Sequence, residues 1–196
     1  MIVILLVACG GTDETAVIDA ASLPDDGVVI DGVLSGIDTP PSAMALSSAA
    51  FADGSAIPVV HTCDGANTSP PLTWSDAPTG TQSFAIVFRD KSIGLIHSVI
   101  YDIPAGLPGV PADVERVFAP SNVAGAHQSL TLGGASFGYT GPCPPAGTSH
   151  NYEFELFALD VATLPGAGMT TTQSQARTLI LAHDLASTTL AGTFQH

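Results

Sequence analysis

Residues 141–160 read GPCPPAGTSHNYEFELFALD, a loop rich in proline and glycine that runs directly into an apolar segment. Successive side chains of a β-strand point to opposite faces of the sheet. The segment alternates on this period, with one face carrying Tyr152, Phe154 and Leu156 and the other carrying Glu153 and Glu155. The pattern predicts a half-buried strand, and by the same parity His150 points to the inner side with Tyr152. A stiffened loop that aims a histidine and a tyrosine inward is typical of a binding site.

The rest of the chain after about residue 44 consists of short β-type runs separated by Gly/Pro turns. SFAIVF (83–88) is apolar on both faces and predicts a central strand, and TTLAGTFQ (188–195) predicts the last strand. HSVIYDI (97–103) predicts a strand with His97, Val99 and Tyr101 on one face. A single clear helix is predicted over 173–184, because Thr172 and Gln175 form a capping-box pattern. The fold class is therefore mostly β.

The composition excludes one class of partner. The 196 residues carry 4 lysines and arginines against 18 acidic residues, for a formal charge of −14, and 45% of them are hydrophobic. A chain this acidic is repelled by nucleic acid and by anionic bilayers. The apolar fraction is enough for one globular domain with some additional chain. Nucleic-acid binding is excluded on these grounds.

The first nine residues, MIVILLVAC, are apolar up to Cys9. They are too few to span a bilayer, which takes roughly 20 residues. Residues 6–9 (LVAC) are similar to a lipobox, so we expect 1–9 to be the end of a lipoprotein signal and Cys9 to be lipidated. The other interpretation is an apolar terminus with a buried cysteine. Residues 10–42 are then expected to form a flexible acidic tether, and residues 43–196 the globular domain. The protein would be exported to the cell envelope and held at the membrane by its lipid anchor only.

Four segments carry polar groups in apolar settings: HTCDGANTSPPLTW (61–74), VFRDKS (87–92), LIHSVIYDIP (95–104) and GPCPPAG (141–147). In combination and order they resemble the phosphatidylethanolamine-binding protein family, in its bacterial Raf-kinase-inhibitor-like branch, over residues 44–195. The resemblance implies a two-sheet β-sandwich with one or two peripheral helices and a small anion pocket at one end. The residues that it assigns to the pocket are Asp90, His97, Gly141, Pro142, Pro144, Pro145, His150 and Tyr152.

The chain departs from the family pattern around this pocket. The usual Asp-Pro-Asp-x-Pro is DKSIG (90–94), and the histidine is flanked by Ile96 and Ser98 instead of aromatic residues. These changes leave the selectivity for a headgroup open. Arg89 and Lys91 bracket Asp90, and they are either surface charges that balance an acidic domain or a rim that attracts anions.

The family resemblance implies that the loops containing Cys63 and Cys143 lie close together. In an exported protein such a pair of cysteines is expected to form a disulfide. Two free thiols, or a metal site with His61, His97 or His150, are the alternatives. No tight Cys-x-x-Cys spacing supports metal. We therefore expect neither a metal nor a cofactor.

The predicted function is non-enzymatic binding of a phosphate-type anion or a phospholipid headgroup. A protein-interaction module that modulates a kinase or protease is one alternative, with a partner that the sequence does not identify. A hydrolase using Ser136 or an Asp90–His97 pair is another, because GASFG (134–138) matches Gly-x-Ser-x-Gly and Asp160 and His183 follow it. That motif needs a helix after the serine, and the prolines at 142, 144 and 145 disfavour one.

Overall fold

The computed structural model describes residues 43–196. The proposed lipobox with Cys9 and the tether at 10–42 lie outside the described residues. Within them are eight strands and one α-helix, in the order β1 Ala45–Ser47, β2 Leu72–Ser75, β3 Ser83–Asp90, β4 Leu95–Pro104, β5 Gly109–Val110, β6 His127–Gln128, β7 Ser149–Leu159, α1 Gln173–Leu181 and β8 Asp184–Gln195. The prediction of a mostly β fold is confirmed.

The strands form two antiparallel sheets. One has three strands in the order β1-β2-β5, and the other has five in the order β6-β4-β3-β7-β8. The central strand of the large sheet is β3, as its two apolar faces predicted. Side chains from both sheets share one core, in which Trp74 of β2 contacts Phe84 of β3 with ring centroids 5.0 Å apart. The fold is therefore the expected two-sheet sandwich.

A second, smaller core covers the opposite face of the large sheet. Ala176 and Ile180 of α1 pack there against Val87, Val99 and other buried residues of β3, β4 and β7. Because α1 covers this face, β7 is buried on both sides instead of being half-buried as its alternation predicted. The two faces of β7 themselves are as predicted, since Tyr152 and Phe154 lie in the first core.

Charged residues on the helix-covered face neutralise one another. Glu153 and Glu155 are both buried, and Arg89 Nη2 lies 3.0 Å from Glu153 Oε2 and 2.8 Å from Glu155 Oε1. Lys91 Nζ is 3.2 Å from Glu153 Oε1, and Arg177 Nε of α1 is 3.2 Å from Glu155 Oε2. These pairs explain how two glutamates tolerate burial on a face that also packs against a helix.

The helix begins as predicted and ends earlier. Thr172 and Gln175 form the capping box, with the Thr172 hydroxyl accepting a bond from the Gln175 backbone. The α-helix ends at Leu181, three residues before the predicted end, because the chain enters β8 at Asp184. Of the helices that the structure describes, none combines the length and the hydrophobicity needed to span a membrane.

Candidate functional site

The end of β3 and the start of β7 bring two predicted site residues together. In the antiparallel register of these strands, Asp90 lies opposite Tyr152. Asp90 is only 2% exposed, and its Oδ2 accepts a hydrogen bond of 2.6 Å from His150 Nδ1. Its Oδ1 accepts a second bond of 2.8 Å from the backbone N–H of Ser92 in the turn after β3. Both carboxylate oxygens are therefore occupied, and they fix the His150 ring.

A β-bulge directs the His97 side chain to the same inner face as Tyr152. In the β3–β4 register, Phe88 pairs with Ser98 and Arg89 pairs with Ile96, which leaves His97 as the extra residue. A bulge of this kind reorients a side chain relative to its neighbours. The His97 ring lies 5.3 Å from the ring of Phe88 and 5.7 Å from that of Tyr152, on the inner face. The prediction that His97 shares a face with Val99 and Tyr101 is wrong, because both of those pack under α1.

The two imidazoles have the same hydrogen-bonding arrangement. His97 Nδ1 lies 3.1 Å from the carbonyl oxygen of Thr140, and His150 Nδ1 lies against Asp90. A carbonyl and a carboxylate only accept, so Nδ1 carries the proton in each ring. In the neutral form each Nε2 is then an acceptor, and it becomes a donor only when the ring is protonated. Burial lowers the pKa of His97 below its ordinary value, and the hydrogen bond to Thr140 opposes this only in part.

Tyr152 provides a buried hydroxyl group that makes no well-formed hydrogen bond. Its side chain is 1% exposed, and its hydroxyl oxygen has no hydrogen-bond partner of good geometry among the described residues. Burial first, and then the charge of the neighbouring Asp90 and the closeness of its carboxylate as an acceptor, raise the pKa of Tyr152. The backbone N–H of Cys143 is also close to this oxygen. The hydroxyl therefore stays protonated and can donate to a bound ligand or water.

The 141–145 loop is held in place by the 61–67 loop. Gly141 N–H donates to Asn67 Oδ1 at 2.7 Å, and Cys63 N–H donates to the Pro142 carbonyl at 3.0 Å. A Cβ at Gly141 would overlap the carbonyl oxygen of His61, so the two loops approach closely only because this residue is glycine. Only one backbone N–H of this loop is left for a ligand. Gly141 uses its N–H on Asn67, prolines have none, and Cys143 alone keeps a donor within 141–145.

Cys63 and Cys143 form a disulfide, with Cα atoms 5.4 Å apart. The expected disulfide is therefore confirmed. The imidazole beside this disulfide belongs to His196, whose Nδ1 lies 3.8 Å from Cys63 Sγ. Cys63, Cys143 and His196 form a group of potential metal ligands. His61, His97 and His150, which were the histidines considered for a metal site, do not belong to this group.

The four basic residues of the chain lie away from the inner-face cluster of Asp90, His97, His150 and Tyr152, which we call the Asp90 cluster. Arg89, Lys91 and Arg177 pair with glutamates on the helix-covered face. Arg116 donates to the backbone carbonyl of Asn67. These pairs favour the interpretation of Arg89 and Lys91 as charges that balance an acidic domain, and within the Asp90 cluster itself the groups that can carry a positive charge are its two histidines.

The two residue sets proposed for hydrolysis are not assembled. Asp90 bonds to His150 and not to His97, whose Nδ1 is occupied by Thr140. The Ser136 hydroxyl lies 3.0 Å from that of Thr131 in an exposed turn, and no helix follows it. His183 pairs with Asp160 at 2.9 Å. The pattern Gly-x-Ser-x-Gly is thus part of a glycine-rich loop.

Residues that the sequence analysis did not single out support the site. Asn67 positions Gly141, Thr140 fixes His97, and Tyr139 donates from its buried hydroxyl to the His61 carbonyl at 2.9 Å. Asn67 has a φ of 57°, a left-handed conformation in which asparagine is one of the few non-glycine residues found regularly. Its place between Gly65 and the Pro70-Pro71 pair was the signal available in the sequence.

The comparison with known families agrees with this architecture. The family described as phosphatidylethanolamine-binding protein matches residues 47–195. The chain belongs to the phosphatidylethanolamine-binding protein family. The family resemblance that the motifs indicated is therefore confirmed over most of the described residues.

Similar proteins from several organisms belong to or resemble this family. A UPF0098 protein of Aquifex aeolicus is 41% identical over 131 residues, which are 63% of this chain and 74% of that protein. A Mycobacterium tuberculosis protein named "Putative lipoprotein LppC" is 40% identical over 158 residues, which are 78% of this chain and 72% of that protein. The crystal structure of YbcL from E. coli, described as a new member of the mammalian PEBP family, superposes with a TM-score of 0.71 at 27% identity, covering 79% of this chain and 99% of that one.

The Asp90 cluster lies beside an open groove and not beside the cavity in the apolar core. A groove of about 380 Å³ is lined by Lys91, Ser92, Asn151 and Tyr152 among others. The cavity of about 40 Å³ inside the sandwich is lined by Phe88, Tyr139 and Phe154 among others, and no residue of the Asp90 cluster lines it. The side chain of His150 is 14% exposed, more than that of Asp90. His150 is therefore the more accessible member of this hydrogen-bonded pair.

Proposed function

We propose that the chain binds the phosphate end of a small ligand at the Asp90 cluster without transforming it. The observation that carries the proposal is the Tyr152 hydroxyl, which is buried and protonated and has no partner among the described residues. Leaving such a donor unpaired costs about 1–3 kcal/mol. A ligand oxygen that accepts from this hydroxyl recovers that cost, and the nearby N–H of Cys143 can donate to the same oxygen.

The chemistry of the cluster favours particular ligand forms. Asp90 places a carboxylate in the cluster, and each imidazole in its neutral form presents an accepting Nε2. A phosphate dianion is then repelled, whereas a ligand that also carries a proton or an ammonium group can donate to these acceptors. A zwitterionic phosphorylated headgroup meets both requirements. Protonating an imidazole converts its Nε2 into a charged donor, so simple phosphate should bind better as the pH falls.

We propose further that the domain is held at the cell envelope through Cys9. The support is the LVAC sequence at 6–9, the disulfide, which fits export, and the lipoprotein name of the mycobacterial relative. Lipidated protein should partition with membranes when expressed with its signal, and Cys9→Ser should release it. Equal partitioning of the two forms would contradict the anchor.

A protein-interaction module is the second candidate, and one observation favours it. Val59 and Val60 are 54% and 47% exposed in the short helical turn Val59–His61, which precedes the disulfide loop. Adjacent exposed valines at a loop that supports the site are a feature of docking surfaces. A partner that still binds after Val59→Ser and Val60→Ser, but not after changes at the Asp90 cluster, would argue against this candidate.

Calorimetry with phosphate and with phosphoethanolamine tests the proposal. His150→Ala should weaken binding by about 1.5–3 kcal/mol, the value of a hydrogen bond to a charged group. The matched control is His183→Ala, which removes another histidine paired with an aspartate, at 2.9 Å, outside the cluster. Undiminished binding by His150→Ala would place the ligand elsewhere. Turnover of an aryl ester that is lost with His150→Ala would show a hydrolase instead.

A further inference from the structure

A second group of potential ligand atoms lies at the disulfide. Cys63 Sγ, Cys143 Sγ and a ring nitrogen of His196 lie within 4.8 Å of one another, and Cys63 Sγ is 3.8 Å from His196 Nδ1. Asp64 Oδ1 lies 2.7 Å from the same nitrogen. Cys143 and His196 are exposed, so the group is open to solvent. Two sulfurs and an imidazole nitrogen are thus collected at one point on the surface, and Asp64 is hydrogen-bonded to that imidazole.

The distance between Cys63 and His196 is the one that a tetrahedral zinc ion requires. Zinc binds cysteine sulfur at about 2.3 Å and histidine nitrogen at about 2.0–2.1 Å, which puts neighbouring donor atoms roughly 3.5–3.8 Å apart. The observed distance of 3.8 Å between Cys63 Sγ and His196 Nδ1 matches this spacing. Two contacts are shorter: the disulfide holds the two sulfurs together, and Asp64 Oδ1 lies 2.7 Å from His196 Nδ1. A metal at this site therefore requires that the disulfide is broken and that His196 Nδ1 exchanges Asp64 for the metal.

The backbone keeps the four residues together without the disulfide. Cys63 N–H donates to the Pro142 carbonyl at 3.0 Å, next to Cys143. Gly147 N–H donates to the His196 carbonyl at 2.9 Å, which ties the end of β8 to the same loop. These bonds leave the cysteines and the histidine near each other when the sulfurs separate.

We propose that reduction of the Cys63–Cys143 disulfide creates a zinc site with Cys63, Cys143 and His196 as ligands, in which the metal replaces Asp64 as the partner of His196 Nδ1. The disulfide accepts two electrons and two protons from a dithiol, which itself becomes a disulfide, and yields two thiols. Zinc then binds the two thiolates and releases their protons. The disulfide and the metal site are alternatives, because a sulfur bonded to sulfur is not available as a thiolate. An oxidised chain binds no zinc here, and a zinc-loaded chain cannot reform the disulfide.

Cobalt titration of the full chain tests the site. Cys9→Ser is used as the background, so that Cys63 and Cys143 are the only cysteines left. The protein is compared before and after treatment with a water-soluble phosphine, which supplies the two electrons and takes oxygen from water. The reduced form should bind one Co²⁺ with a thiolate-to-cobalt charge-transfer band, and Zn²⁺ should displace it. The oxidised form should give no such band.

Two variants separate this site from metal binding by an unfolded chain. His196→Ala should weaken Co²⁺ binding by more than about tenfold. His183→Ala, the matched control outside the cluster, should bind as the background does. If the reduced chain gives no charge-transfer band, or if His196→Ala and His183→Ala affect binding equally, the proposal is wrong. Equal effects would mean that any histidine of an unfolded chain can act as the ligand.

Discussion

Asp90 Oδ2 accepts a hydrogen bond of 2.6 Å from His150 Nδ1, across the neighbouring strands β3 and β7. The bond joins the end of β3 to the start of its neighbour β7, and it sets the orientation of the His150 ring, whose side chain is 14% exposed. Because Asp90 also accepts from Ser92 N–H, this carboxylate organises both the site and the turn after β3.

Replacing Asp90 with alanine should therefore destabilise the fold as well as the site. His150 Nδ1 and the backbone N–H of Ser92 lose their acceptor, and a hydrogen bond to a charged group is worth about 1.5–3 kcal/mol. Urea unfolding should show the loss. The matched control is Asp160→Ala, which breaks the pair with His183, and because the Asp160 side chain is 53% exposed the cost should be at most about 1 kcal/mol. Similar losses in the two variants would contradict the central place given to Asp90.

His97 should make the domain less stable in acid. Its pKa is lowered in the folded chain, chiefly by burial, so below its ordinary pKa of about 6.5 the unfolded chain takes up the proton more readily. The contribution of this group to stability is complete above that pH and is lost as the pH falls toward the folded pKa. Urea unfolding of the native chain and of His97→Gln over this range should give a smaller pH slope for the variant. Identical slopes would show that His97 is not the group involved.

Gly141 should not tolerate a side chain. A Cβ there would overlap His61 and Asn67, so Gly141→Ala must separate the two loops. We expect a loss of about 1–3 kcal/mol, as for overpacking in a core, measured by thermal or urea unfolding. Gly168→Ala is the control, because its Cβ would have nothing within 4 Å. A neutral Gly141→Ala would mean that the loop contact is not needed.

The disulfide should contribute to stability through the unfolded state. It closes a loop of sequence separation 80, and the loss of chain entropy in the unfolded chain is worth on the order of 4 kcal/mol. The double variant Cys63→Ala with Cys143→Ala should lose an amount of this order in urea unfolding. A reduced native chain should lose a similar amount in the absence of metal. Unchanged unfolding midpoints in both cases would exclude the entropic account.

The sequence was sufficient for features that depend on local periodicity. The faces of β7, the central position of β3 and the capping box at Thr172 all follow from the order of residues over short distances. The features that it missed depend on how distant strands align. The bulge that turns His97 inward exists only in the β3–β4 register. Asp90 can accept a hydrogen bond from His150 only because β3 and β7 are neighbours. Local alternation carries no information about either.

The charged residues illustrate the same limit. Arg89 and Lys91 bracket Asp90 in the sequence, which made a cationic rim reasonable. In a strand, however, Arg89 points to the face opposite Asp90, where two glutamates and the helix are found. The helix that buries those glutamates comes from a later part of the chain. Its packing on that face could not be derived from the residues near Asp90.

The most direct test of the account is calorimetry of phosphate and phosphoethanolamine binding to Tyr152→Phe and Tyr101→Phe. Both tyrosines are about 1% exposed, and both hydroxyls lack a partner among the described residues, but they lie on opposite faces of the large sheet. Burial, and then the charge of Asp102, raise the pKa of Tyr101 to about 12, so both hydroxyls are protonated at neutral pH. We expect Tyr152→Phe to weaken binding by about 1.5–3 kcal/mol and Tyr101→Phe to leave it unchanged. Equal binding by both variants and the native chain would contradict the assignment of the ligand to the Asp90 cluster.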